Sequence, residues 1–172
     1  MDKLLKELCE NLEEQLATYK LLVKYEQEKQ EVLVNGEINQ LEELVKKEQK
    51  VVFKNGELEK TRQEHISQLA EQAGVPQDDL TISRVIELAE GDMKDRLSNV
   101  YEELEYVLVE LKDLNLKNNS LIEQSLSYIN YSLDILVGAS KDDPGTYDKS
   151  QSGKEESGKA KKSKRSFLDR KI

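Results

Sequence analysis

Residues 114–136 read LNLKNNSLIEQSLSYINYSLDIL, and written in sevens they resolve into stripes. Leu114, Leu121, Tyr128 and Ile135 fall on one stripe; Asn115, Ile122, Ile129 and Leu136 fall on another, with Leu126 and Leu133 beside the second. Between them runs a line of small polar residues, Asn118, Ser125 and Ser132. A repeat of seven is the period of a helix that lies along another helix, so this stretch is read as coiled-coil helix. Its apolar arc is wider than one coiled-coil seam requires.

Outward from this stretch the same rhythm recurs. The helix that contains it is expected to span about residues 92–137, about 70 Å at the rise of an α-helix. Upstream, the sequence Ala73-Gly74-Val75-Pro76 is a glycine cap followed by proline, the clearest break in the chain. A short helix through Glu90 follows it, with Thr81 as N-cap and Ile82, Val85, Ile86 and Leu88 to tuck against neighbours. Before the break, Leu41, Leu44, Val51, Leu58, Ile66 and Leu69 mark a second long helix that runs through Gly56 without losing phase. Before that, Leu5, Leu8, Leu12, Leu16, Tyr19, Leu22 and Leu33 mark a first helix over 2–34, ended by Asn35-Gly36. Three long helices on short connections pack most simply as an elongated antiparallel helical bundle, so the expected class is all-α, with one additional short helix. The longest helix is expected to reach beyond its neighbours.

Residues 1–137 form the expected helical domain, and 138–172 a flexible polar tail, because ASKDDPGTYDKSQSGKEESGKAKKSKR has too few apolar groups to offset the entropy of ordering. The net charge of −9 is uneven. Residues 141–172 hold ten basic against six acidic side chains, leaving 16 against 29 in the remainder, a net of −13. So acidic a body repels phosphate backbones and anionic lipid, which argues against nucleic-acid binding and membrane association. No apolar run approaches the length of a membrane span, and the acidic N-terminus lacks the blocks of a signal peptide, so the expected location is the cytoplasm without membrane insertion.

Catalytic groups are scarce. Cys9 and His65 are the single cysteine and histidine, each read as an ordinary residue on an amphipathic helix rather than as a nucleophile and its base. One histidine cannot supply the paired Glu-x-x-His ligands of a di-metal bundle, and no glycine-rich phosphate loop is present. The expectation is a protein that is not an enzyme and carries no cofactor. The wide arc of 114–136 then has two readings: both edges lie in a broad core, or one edge is a groove for a partner's amphipathic helix. The length of the helix favours the groove. On that reading the partner contacts are Leu114, Asn115, Asn118, Leu121, Ile122, Ser125, Tyr128, Ile129, Ser132, Ile135 and Leu136.

The run L-K-D-L-N-x-x-N-x-x-L-I-E-Q over 111–124, followed by more helix and a lone tyrosine in a polar tail, resembles the FlgN family. Leu111, Asn115, Asn118, Leu121 and Ile122 match its central signature, while Gly36 to Leu41, Glu48 and Leu58 to Arg62 resemble its first turn and second helix. The likeness covers residues 1 to about 150. It implies a cytoplasmic chaperone of flagellar type III export, whose clients are the C-terminal helical regions of the hook-filament junction proteins FlgK and FlgL. It also implies that Tyr147 docks on the export gate protein FlhA, although the first glycine after this tyrosine is Gly153, farther away than in the family pattern. The alternative is a self-associating coiled-coil scaffold, and monomer and homodimer both stay open, because an exposed heptad edge serves either purpose.

Overall fold

The computed structural model describes residues 1–139. Helix α1 spans Asp2–Asn35, α2 Ile38–Ala73, α3 Ile82–Leu88 and α4 Gly91–Ala139, with a single 3-10 turn at Gln77–Asp79 between α2 and α3. The class is all-α, as the sevenfold pattern indicates. Side chains are described to residue 137, and the tail, with Tyr147, lies outside the described residues.

The breaks fall where the backbone needs glycine. Gly36 (φ 71) and Gly74 (φ 68) both adopt the left-handed conformation that closes a helix. In each case the following residue reaches back across the turn: Glu37 N–H donates to Val32 O and Val75 N–H to Ala70 O, both at 3.1 Å. Thr81 caps α3 by accepting from the Arg84 N–H at 3.4 Å. Asn55-Gly56 does not break α2, because its phase carries straight through and the helix has neighbours that outweigh the cost of one glycine.

The residues Met1–Leu133 form one compact unit, and a second begins at Asp134 within the last turns of α4. In the first unit, partners across α1 and α2 run in opposite senses: Asn11 Nδ2 donates to Leu58 O, Thr18 meets Asn55, and Lys29 meets Glu48. Partners across α1 and α4 advance together. Arg96 pairs with Glu13, Lys20 with Glu103 and Gln27 with Glu110, every pair 83 residues apart in sequence. The long helices therefore alternate up, down, up, and the first and third are parallel neighbours. Steps of seven on both helices are the spacing of flanking pairs in a coiled coil. These pairs are solvent-exposed and individually worth ~1 kcal/mol or less, so they select an alignment more than they stabilise it.

The apolar core is densest where four elements meet. Leu5, Leu8, Cys9 and Leu12 of α1 cluster with Leu69 and Ala70 of α2, Val85 of α3 and Leu97 of α4. Each leucine buried there contributes ~1.5–3 kcal/mol. Cys9 is sealed inside, and burial, with the Glu13 carboxylate beside it, pushes its thiol up from the ordinary value. Such a thiol is a small apolar filler, the opposite of an activated nucleophile.

A candidate partner-binding face on the last helix

Helix α4 presents its core seam in two heptad lines. One is Val100, Val107, Leu114, Leu121, Tyr128 and Ile135; the other is Leu97, Leu104, Leu111, Asn118, Ser125 and Ser132. The polar line noticed at 118, 125 and 132 is thus the continuation of a leucine seam. Through Leu114 and Asn118 the seam is buried except at Leu111, which is half-buried, and Asn118 is only 2% exposed.

What ends the burial is the length of α1. Asn118 Nδ2 donates to the Glu26 backbone carbonyl, and α1 runs only nine residues past Glu26, stopping at Asn35. Leu121 and Ile122 are half-buried, and every residue from 123 to 131 is exposed. Because α2 begins just after α1 ends, it offers no cover there either. Tyr128 is 73% exposed and Ile129 49%, with Leu126 and Leu133 likewise open. The sequence of this stretch contains no lysine or arginine, and Glu123 is its one acidic residue before Asp134.

The serines reinforce the apolar character. Ser125 Oγ donates to Leu121 O and Ser132 Oγ to Tyr128 O, each at 2.9 Å. A hydroxyl bonded to the carbonyl one turn back has used its donor inside its own helix, leaving a narrow strip that admits close approach. The face between 121 and 133 therefore presents exposed apolar side chains and the Tyr128 ring beside a strip of small residues.

The residues expected to contact a partner consequently fall into distinct places. Leu114 and Asn118 lie in the bundle, and Asn115 reaches from its edge to Glu26 Oε1 at 3.3 Å. Leu121 and Ile122 sit at the transition; Ser125, Tyr128 and Ile129 are exposed, and Ser132 is half-exposed. Ile135 and Leu136 belong to the second unit and are also solvent-accessible. Sequence reading missed Glu26. It stands seven residues after Tyr19 and seven before Leu33, on the seam itself, and that spacing was the available signal.

Glu26 is the hub of a polar layer. Its Oε1 accepts from Lys29 Nζ at 2.8 Å, its Oε2 from Asn118 Nδ2 at 2.7 Å, and Lys29 Nζ lies 2.7 Å from Glu48 Oε1 on α2. Burial pushes the Glu26 carboxyl up, but the bonds from Lys29 and Asn118 outweigh it and hold the group below the usual carboxylate range. Burial dominates at Glu48, which is held above that range despite Lys29.

Among the described residues, no cluster of three metal-ligating side chains occurs, and no helix is long and apolar enough to cross a membrane. The FlgN protein family matches residues 1–155 of the chain. A Bacillus subtilis (strain 168) protein described as uncharacterized protein YvyG is 30% identical over 132 residues, covering 77% of this chain and 80% of that one. No solved structure matches. With the match running through all four helices and the uncovered end of α4, this chain belongs to the FlgN family of flagellar export chaperones.

Proposed function

We infer that the uncovered face of α4, centred on Leu121, Ser125, Tyr128 and Ile129, holds an amphipathic helix of an export client until the client is handed on. The clients are the C-terminal helical regions of FlgK and FlgL, and the work is done in the cytoplasm. The observation that carries this reading is the early end of α1: a core seam that continues past residue 122 has the spacing of a helix interface and no helix of the bundle over it. The surface offers burial without catalytic groups, which suits holding rather than chemistry. Tyr147 serves as the anchor for FlhA, as the family likeness implies.

A direct test uses the full chain and purified C-terminal segments of the two junction proteins in titration calorimetry. Saturable one-to-one binding that is lost on Ile129→Asp supports the reading. Full affinity in that variant places client binding elsewhere. The second reading, a self-associating scaffold, draws on the same heptad spacing. Light scattering separates the two, since a scaffold stays associated when the client is added in excess, whereas a chaperone gives up self-contacts to the client.

A further inference from the structure

The layer formed by Glu26, Lys29, Glu48 and Asn118 sits where leucines would ordinarily sit. Along α4, Asn118 takes the place that Leu97, Leu104 and Leu111 hold in earlier heptads; along α1, Glu26 follows Leu5, Leu12 and Tyr19. As a source of stability the layer is poorly built. No protein donor reaches the buried Asn118 Oδ1, and two carboxylates share one lysine. A buried polar layer with incomplete partners is commonly no more stabilising than apolar residues of similar volume.

Its geometry is nevertheless demanding. The Asn118 amide spans two acceptors of one residue, the Glu26 carbonyl and carboxylate, both at 2.7 Å. Sliding α4 by one heptad along α1 would set either Leu111 or Ser125 against Glu26. Leucine would strip water from a carboxylate and return nothing, and serine is too short to span both acceptors. The same slip would place Glu13 beside Glu103 in one direction and Lys20 beside Arg96 in the other. The leucine and valine seams, by contrast, repeat every seven residues and would accept either alignment.

We propose that Glu26 and Asn118 form a register lock: positioning residues that fix the alignment of α4 against α1 and thereby decide which residues of the α4 seam are left beyond the end of α1. The lock acts in the free chain and holds whatever occupies the exposed face, so it stands or falls independently of the client reading.

The test replaces the lock by leucine and reads alignment rather than stability. In a Cys9→Ser background, nitroxide labels at Lys24→Cys on α1 and Lys112→Cys on α4 report the distance between the helices by pulsed electron resonance. The parent gives one narrow distance. Glu26→Leu and Asn118→Leu singly each lower the midpoint of thermal unfolding by leaving the other partner buried and unmatched. The double variant recovers that midpoint, yet its distance distribution splits, with a population displaced by one heptad, about 10 Å along the axis. A double variant with the parent's single narrow distance overturns the proposal, because alignment is then set elsewhere. A double variant that fails to fold also overturns it, since the layer is then needed for folding itself. A third variant, Asn118→Ser, keeps the layer polar but cannot span both acceptors, and it too broadens the distribution if the lock works as described.

Discussion

Thr18 and Asn55 meet in the buried interface of α1 and α2, the threonine Oγ1 lying 3.0 Å from Asn55 Oδ1 and 2.7 Å from the Gln15 carbonyl. One hydroxyl proton thus serves two acceptors in a place that water does not reach. Thr18→Val keeps the shape and removes the donor, leaving the Asn55 oxygen buried without a partner. The expected loss is ~1–3 kcal/mol in urea unfolding, while Thr18→Ser, which retains the hydroxyl, loses less. A loss in Thr18→Ser with none in Thr18→Val would show that the methyl group, not the hydrogen bond, is what matters.

Gly56 lies inside α2 with open space around the position a Cβ would take. Its backbone is helical and does not use the left-handed freedom of glycine. Gly56→Ala should therefore raise stability by about 1 kcal/mol, measured as a higher urea midpoint with unchanged slope.

Glu59 carries the clearest acid sensitivity. The Arg62 guanidinium bonds both its oxygens at 2.7 Å, and with Gln63 and Gln15 this lowers the carboxyl from 4.5 to about 2. A folded-state value below the unfolded one stabilises at neutral pH, and that contribution drains away as pH falls from about 4.5 towards about 2. The group is partly exposed, so the effect is modest. Glu59→Gln should flatten the stability curve in that window, and urea unfolding at about pH 5 and about pH 3 reads the difference.

Ile129→Asp places a carboxylate in the middle of the uncovered track, where a docking helix would strip its water. Affinity for the FlgK or FlgL segment should fall at least about a hundredfold, with an unchanged circular dichroism spectrum because Ile129 is outside the bundle. Ile122→Asp should weaken binding as well and also lower the unfolding midpoint, since Ile122 is half-buried. The contrast separates a contact residue from one that holds the bundle.

Tyr147→Ala should reduce recovery of the chain by the cytoplasmic domain of FlhA by about tenfold or more, as loss of an aromatic anchor does in a small interface. Client affinity should not change. Undiminished recovery would place gate docking at another segment.

Much of the fold was legible because its signals are local. Gly36 and Gly74 cap helices where the chain needs a left-handed residue, Thr81 starts the short helix, and the heptad phase through Gly56 correctly outweighed the turn-like Asn-Gly pair. The site was legible only in part. Asn118 looks from α4 alone like the floor of an open groove, and whether it is covered depends on Glu26, 92 residues from it along the chain, and on α1 running past that residue to Asn35. Glu26 was invisible for the complementary reason: a glutamate is ordinarily read as solvated, and only its partners on two other helices make it interior.

The back-bonded serines of α4 carry a consequence for when the chain becomes adhesive. In an unfolded chain the hydroxyls of Ser125 and Ser132 belong to water. Once the helix forms, both protons turn inward to Leu121 O and Tyr128 O, and the strip loses much of its thirst. The apolar side chains are the same in both states, but only the finished helix gathers them on one face beside a strip with its hydroxyl protons turned inward.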